Sequence, residues 1–216
     1  MGEFPQSDLN KVRRLPLRGL YDKETIYDIV DEALICHVGF VVEGQPFVMP
    51  TIHVRIDDTI YLHGAIANRM LHHIKSGNSV CLTMTLIDGI VFARSVFHHS
   101  MNYRSAVLFG KGRVIDGYDE KWKIFSALTE HIAKGRWEDA RKPTEKETNA
   151  TTVVAIDIES ASAKARTGPA KDDEEDYLLP TWAGIMPVQL NYGEPIRDEQ
   201  LSADIAVPEY LKNYKR

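Results

Sequence analysis

The chain has 216 residues, of which 44% are hydrophobic and 26% are charged, and these proportions are typical of one ordinary globular domain. Its formal net charge of −5 at pH 7 argues against a nucleic-acid-binding protein and against attraction to an anionic membrane. No apolar run reaches the ~18 residues that a membrane span needs, and the N-terminus lacks the apolar segment of a signal peptide.

The first part of the chain predicts an arm, a helix and three strands. Residues 1–20 form an irregular N-terminal arm. Asp22 is a suitable N-cap, and apolar residues at helical spacing predict an amphipathic helix over residues 23–33. Two runs rich in β-branched and aromatic residues, LICHVGFVV and PFVMPTIHVRI, flank a turn at residues 43–45 and predict a β-hairpin. A turn at residues 57–58 leads to a third strand, TIYLHG.

The middle of the chain alternates between helix and hairpin patterns. The run NRMLHHIKSGNS predicts a helix with Asn68 as N-cap and Gly77 as stop. The runs SVCLTMTL and IVFARSV, joined by Asp88-Gly89, predict another hairpin. The polar stretch FHHSMN interrupts before a long strand, YRSAVLFGKGRVI. Helices over residues 119–134 and 144–149 precede a last strand, TTVVAIDI.

Six or seven strands in successive hairpins, with three or four helices between them, predict a mainly β, α+β fold. Antiparallel pairs without regular β-α-β alternation favour a closed or nearly closed barrel. Residues 21–216 fit a single domain, in which the polar segment 160–180 is predicted to be a flexible surface loop. Cys36 and Cys81 lie far apart in apolar runs, which is typical of reduced thiols and predicts a cytoplasmic protein.

The sequence lacks the residue patterns of several common metal, nucleotide and catalytic sites. The eight histidines include no pair at i, i+4 and no His-x-His, so no metal site is predicted. The glycines at 110–112 lack the third glycine of a dinucleotide motif, and no G-x-S-x-G elbow presents Ser100 as a nucleophile. What remains is an anion cradle: Asn68-Arg69 opens a helix, and Arg104-Ser105 follows the polar stretch. Arginines that only cover a surface are the alternative.

In chain order these segments resemble the FMN-binding split barrels related to pyridoxamine 5′-phosphate oxidase. Within that family the chain is most similar to flavin-nucleotide-binding proteins akin to 5-nitroimidazole-resistance reductases. The resemblance covers roughly residues 11–210 and rests on GQPFVMPTIHVRI, LHGAIANRM, FARSVFHHSMNYRS, KARTG and DDEEDYLLPTWAG. It implies a six- to seven-stranded antiparallel split β-barrel of the FMN-binding type. It also implies a homodimer with FMN at the subunit interface.

The resemblance further implies which residues bind the flavin. Those along the isoalloxazine ring are Val48, Met49, Pro50 and Thr51; those near the ribityl phosphate are His63, Gly64, Asn68, Arg69 and Met70; those in the polar stretch and after it are Ser100, Tyr103, Arg104 and Ser105; and Trp182 approaches from the partner subunit. Met70 departs from the family, because the oxidases carry a lysine there. A polar strand break at a barrel rim is the alternative reading of FHHSMNYRS.

The implied activity is that of an FMN-dependent oxidoreductase. Electrons would pass from a reduced nicotinamide or another donor to a small molecule such as a nitroaromatic, with His63 or His53 as a candidate proton donor. Pyridoxamine 5′-phosphate oxidation is disfavoured, because no Arg or His follows Trp182 before Arg197. A non-catalytic flavin sensor, a haem-handling barrel with a histidine ligand, and a barrel that binds FAD or deazaflavin are alternatives.

Overall fold

An antiparallel sheet of nine strands dominates the computed structural model, which describes residues 2–215. In chain order the strands are β1 (Gly19–Leu20), β2 (Ile35–Val42), β3 (Gln45–Ile52), β4 (Val54–Ile56), β5 (Thr59–Ala65), β6 (Ser79–Phe92), β7 (Ser100–Ile115), β8 (Thr151–Arg166) and β9 (Gly184–Pro187). The helices are α1 (Lys23–Glu32), α2 (Arg69–Lys75), α3 (Tyr118–Ile132), α4 (Arg136–Asp139), α5 (Glu145–Asn149) and α6 (Glu209–Lys212). None of these helices has the length and apolar character needed to cross a bilayer.

The strand order across the sheet is β3-β2-β6-β7-β8-β5-β4, with β1 added to β8 and β9 added to β6. All pairings are antiparallel. The predicted mainly β, α+β split barrel is therefore confirmed, with nine strands in place of six or seven. The two additional strands, β1 and β9, have two and four residues. Segments this short are below the length at which a period of two can be recognised.

The sheet has an inner face and an outer face because side chains alternate along each strand. In β2, Cys36, Val38 and Phe40 are buried on the inner face, where helices α1 and α2 pack to form the main hydrophobic core. A smaller cluster that includes Ile115 and Ile124 lies beneath α3. We use the term outer face for the opposite side of β2, β3, β6 and β7. No helix of the main core covers that side.

The predicted hairpin turn at Asp88-Gly89 is wrong. Strand β6 runs through this dipeptide without reversing, and only its pairing register with β7 shifts there, between Ile87 and Gly89. A Cβ atom at Gly89 would lie 2.9 Å from Cγ2 of Ile185 in β9. The glycine therefore permits close approach of β9. The chain reverses in residues 93–99, between the end of β6 and the start of β7, so the last four residues of the predicted strand IVFARSV belong to the turn.

The N-terminal arm and the predicted loop at 160–180 are both more ordered than expected. Phe4 is buried, and Asn10 Nδ2 donates to the Ala161 carbonyl at 2.9 Å, so the arm is held against β8. Strand β8 continues to Arg166, and the first seven residues of the predicted loop therefore belong to the sheet. Pairing with β7 and burial of Ala161 and Ala163 outweigh the weak strand propensity of alanine and serine.

Candidate functional site

The four predicted flavin-binding residues of β3 divide between the two faces of the sheet. Val48 is 68% exposed and Pro50 is exposed, both on the outer face. Met49 packs against the main core, and Thr51 is half-buried. Strand β3 lies at one end of the strand order, so its free edge presents unpaired backbone groups. This strand can therefore offer a flat ligand both an apolar surface and backbone hydrogen bonds.

The start of α2 lies beside β3. The Asn68 side chain caps the helix by accepting from the Leu71 amide at 3.3 Å, as predicted. The Arg69 guanidinium lies 5.1 Å above the Phe47 ring, and it forms no ion pair with any residue in 2–215. Met70 is 1% exposed, so only its backbone could reach a ligand. Arg69 is thus a free cation on an aromatic support, which suits a phosphate.

His63 and Gly64 face opposite sides of β5. A Cβ atom at Gly64 would lie 3.1 Å from Leu71 Cδ1 and 3.5 Å from Asn68 Nδ2, so this glycine lets β5 pack closely against the start of α2. The side chain of His63 points the other way, toward α3. The structure therefore brings Gly64, Asn68 and Arg69 together, and separates the His63 ring from them.

The His63 ring lines a cavity of about 390 Å³ between β5 and helices α3–α5. The other lining residues are mainly apolar, and they are Phe125, Leu128, Thr129, Ile132, Trp137, Ala140, Arg141, Pro143, Glu147 and Thr151. Nδ1 of His63 is buried and has no hydrogen-bond partner in the described chain. Burial lowers the pKa of His63, which favours the neutral imidazole. A neutral imidazole in an apolar cavity is suited to coordinate a metal or to accept a proton.

His53, the other predicted catalytic histidine, is fully buried. Its Nε2 lies 2.9 Å from the Val30 carbonyl, and its ring centroid lies 5.4 Å from that of His131. His131 Nε2 in turn lies 3.2 Å from the Ala33 carbonyl. These contacts join α1 to α3, so His53 has a structural role in the described chain and does not line the His63 cavity.

Arg104 is held by two carboxylates of its own chain. Its Nη2 donates to Glu32 Oε1 at 2.9 Å and to Asp88 Oδ1 at 2.8 Å. These hydrogen bonds, with Glu32 first, raise the pKa of Arg104 above its ordinary value. The cluster faces a cavity of about 590 Å³ beneath residues 188–192. That Arg104 contacts a flavin remains a prediction. A flavin at this position would have to share the guanidinium with both carboxylates.

The remaining predicted residues lie near Arg104, at one end of the ribbon that the paired strands β6 and β7 form. Ser100 and Tyr103 are half-buried on β7, and Ser105 Oγ donates to the Lys164 carbonyl at 3.2 Å. Trp182 is 67% exposed, and its ring centroid lies 6.1 Å from that of Phe92. Trp182 therefore stands as an exposed aromatic surface at the free end of the ribbon.

Within one chain the predicted flavin residues form two separate groups. The first group surrounds β3 and the start of α2, where Val48 lies in line with Phe109 of β7 through paired residues of β2 and β6. The second group surrounds Arg104 and Trp182. Phe109 and Arg104 are separated by about five residues of strand, or roughly 16 Å at ~3.3 Å per residue. The Arg104 side chain lies on the inner face, because Arg104 is paired with Leu86, which packs against the main core.

Two further clusters were not among the predicted site residues. Ligand atoms of His98, Asp173 and Asp176 lie within 4.8 Å of one another, which is a spacing that could hold a metal ion. Arg166 is 7% exposed and donates to the side-chain oxygen of Asn102. The motifs KARTG and DDEEDYLL contain Arg166 and the two aspartates, but sequence spacing does not reveal that these segments return to the polar stretch at 97–105.

Comparison with known proteins gives a family and structural relatives. Residues 22–165 match the family model described as Pyridoxamine 5′-phosphate oxidase. A search of curated protein sequences finds no match. The structure of the flavocytochrome Anf3 from Azotobacter vinelandii is similar, with a TM-score of 0.89, 37% sequence identity and 95% of each chain covered.

Two more solved structures are informative. The FAD and heme binding protein from Mycobacterium smegmatis has a TM-score of 0.85 and 32% identity, and the match covers 89% of this chain and 95% of that one. A candidate 5-nitroimidazole antibiotic resistance protein from Bacteroides thetaiotaomicron has a TM-score of 0.57 and 27% identity, over 68% of this chain and 85% of that one. The relative from Mycobacterium smegmatis is therefore named as binding both a flavin and haem.

Proposed function

The chain belongs to the pyridoxamine 5′-phosphate oxidase family, and on that basis we propose that it is a dimeric, flavin-dependent oxidoreductase that acts on a small molecule. The resemblance predicts FMN, whereas the name of one relative specifies FAD, so the flavin nucleotide is proposed as either FMN or FAD. The single observation that carries the proposal is the Arg69 guanidinium, which pairs with no carboxylate in residues 2–215 and lies at the start of α2 beside the open edge of β3.

The outer face supports a dimer. Its exposed apolar residues are Ile35, Val41, Val48, Ile52 and Ile87, with exposures between 37% and 68%. Two of these side chains are direct neighbours, since Ile35 lies opposite Ile52 in the β2–β3 register, and Val48 and Pro50 continue the same face along β3. Contiguous apolar surface of this kind is typical of an interface. A two-fold arrangement of copies on this face would bury these side chains.

Each group would contribute different contacts. Arg69 and the amides at the start of α2 would hold the flavin phosphate. The edge of β3 would offer backbone groups to the ring, with Val48 and Pro50 as apolar contacts. Trp182 of the partner copy would cover part of the site and exclude water. Bound flavin supplies the hydride chemistry, and the protein contributes binding, orientation and electrostatics.

A haem-containing flavoprotein is a second candidate, and the His63 cavity favours it. Two relatives are named as a flavocytochrome and as an FAD and heme binding protein. His63 has a buried, unpartnered Nδ1 in a cavity with Phe125 and Trp137. A neutral imidazole beside aromatic side chains fits an axial haem ligand, and the two charged residues of the lining, Arg141 and Glu147, pair with each other at 2.8 Å. His63 would then hold the iron, and Phe125 and Trp137 would pack against the macrocycle.

The absorption spectrum of the purified full-length chain tests both candidates. Flavin bands, with FMN or FAD identified by mass spectrometry after release, would support the main proposal. An additional Soret band that His63→Ala abolishes would support the haem site, and His72→Ala on the exposed side of α2 is the matched control. A protein that carries no flavin and does not take up added FMN or FAD would overturn the main proposal.

A further inference from the structure

A basic cavity lies at the end of β8, where the N-terminal arm meets the loop that follows the strand. It has a volume of about 530 Å³. Its walls are formed by residues 15–18 of the arm and by Ala165, Arg166, Thr167 and Lys171. Three of these residues carry a positive charge, namely Arg18, Arg166 and Lys171, and none carries a negative charge. The cavity is distinct from both the His63 cavity and the Arg104 cluster.

Arg166 is a buried cation whose hydrogen-bond partners are all neutral. It is 7% exposed. Its Nη1 donates to the Asn102 side chain and to the Gly168 carbonyl at 3.2 Å, and its Nη2 donates to the Pro169 carbonyl at 3.0 Å. Burying a charge without an opposite charge is costly, so buried arginines are usually paired with a carboxylate or a ligand anion. No carboxylate in residues 2–215 pairs with Arg166.

The two neighbouring cations also lack a carboxylate partner. Neither Arg18 nor Lys171 forms an ion pair within the described residues. The adjacent Asp172 is already engaged, because it accepts from Arg94 Nη1 at 3.1 Å and from the Arg94 amide at 2.9 Å. Burial, followed by the charge of Arg18, lowers the pKa of Arg166 from its ordinary value. The cavity therefore concentrates positive charge that no carboxylate of residues 2–215 balances.

We propose that this cavity binds the phosphate or diphosphate group of a nucleotide. A doubly charged phosphoryl group can compensate several cations at once, and the planar guanidinium matches its oxygens in a two-point contact. The apolar wall of Leu15, Pro16 and Leu17 would contact the sugar or base. Leu15 has a positive φ of 56°, a backbone conformation that is uncommon for leucine, and its carbonyl accepts a hydrogen bond from the Arg18 amide at 3.0 Å. The proposal does not require that the chain binds flavin.

Titration calorimetry with inorganic pyrophosphate tests the site on full-length protein dialysed free of bound nucleotide. We expect the wild-type chain to bind pyrophosphate, and Arg18→Gln and Lys171→Gln each to weaken binding roughly tenfold through loss of one charged contact. Arg166 is not substituted, because its side chain also binds the loop after β8 and its loss could disturb that loop. The matched control is Arg113→Gln, an exposed arginine of β7 that lies 3.8 Å from Asp157.

Two outcomes would overturn the site: no pyrophosphate binding by the wild-type chain, or equal binding by the wild type and both variants. If the site is supported, the same variants identify the source of the phosphate. If the variants lose affinity for FAD but keep their affinity for FMN, the cavity binds the diphosphate of the flavin. A raised KM for NADPH with unchanged flavin content would assign it to the electron donor. If neither changes while pyrophosphate binding is lost, the phosphate belongs to the substrate.

Discussion

The Arg104 guanidinium donates two hydrogen bonds to the Glu32 carboxylate, and this pair ties strand β7 to the last turn of α1. Arg69 is in the opposite situation, since its guanidinium rests on an aromatic ring and pairs with no described carboxylate. Two arginines that the sequence places in the same flavin site therefore have different electrostatic surroundings. The difference leads to separate predictions for their variants.

Arg69→Gln should lower flavin affinity about 10- to 100-fold, because a charged hydrogen bond to a phosphate contributes about 1.5–3 kcal/mol. Thermal stability should change little, since Arg69 is exposed and makes no ion pair. Flavin content and fluorescence titration of the stripped protein measure the effect. Arg113→Gln is the control. Full flavin occupancy in Arg69→Gln, with an unchanged dissociation constant, would remove Arg69 from the site.

Arg104→Gln should act mainly on stability. Loss of the guanidinium leaves Glu32 and Asp88 as neighbouring carboxylates without their shared cation. The Arg104 side chain is 34% exposed, so the expected loss is modest, about 1–2 kcal/mol of unfolding free energy. Urea unfolding measures this value. If Arg104→Gln instead keeps its stability and loses flavin as Arg69→Gln does, Arg104 contacts the flavin directly, as the family resemblance predicts.

His63 should make stability depend on pH in the weakly acidic range. Burial lowers its pKa below the ordinary value of 6.5, so the folded chain binds fewer protons than the unfolded chain and stability rises with pH. The His63 contribution is complete above pH ~6.5 and is lost as the pH falls through that value toward the folded-state pKa. His63→Gln should therefore lose less unfolding free energy than the wild type between about pH 7.5 and about pH 5.

The control for His63→Gln is His72→Gln, in which an exposed histidine of α2 is replaced. Urea unfolding at several pH values gives the comparison. Parallel pH profiles for wild type and His63→Gln would contradict the burial of an uncharged His63.

Val48→Glu should convert a dimer into a monomer. Val48 is 68% exposed in the single chain and lies on the outer face, in the edge strand β3, so a charge there should leave the fold intact while opposing association. Light scattering after size-exclusion chromatography measures the mass, and the flavin content should fall with it. Leu9→Glu, at an arm residue that is 60% exposed, should stay dimeric. A Val48→Glu variant that remains a flavin-loaded dimer would place the interface elsewhere.

Local signals in the sequence were sufficient for most elements of the fold. Asp22 and Asn68 were recognised as N-caps from residue type alone, and both side chains accept the expected backbone hydrogen bonds. The β-branched and aromatic residues of LICHVGFVV predicted a strand where β2 lies. These features depend on neighbours within a few residues, so the sequence contains all the information that they need.

Long-range contacts decided the elements that were predicted incorrectly. Asp88-Gly89 has the composition of a tight turn, but β9 arrives from about a hundred residues later and uses the glycine for close packing within a straight strand. Similarly, β8 continues to Arg166 because β7 pairs with it from Val153 to Arg166. Turn and strand propensities are about 1 kcal/mol or less per residue, and a paired, buried strand outweighs them.

In the candidate site, too, some features follow from the sequence and others from the tertiary structure. The sequence determined which residue types are present and, by their order, the family to which the chain belongs. Only the tertiary structure decided that, among the described residues, Arg104 pairs with carboxylates while Arg69 and Arg166 do not. It also decided that His63 faces a mainly apolar cavity. The charge that a side chain experiences depends on groups distant in the chain but near in space. The order of residues in the sequence does not specify those distances, whereas the folded sheet does specify them.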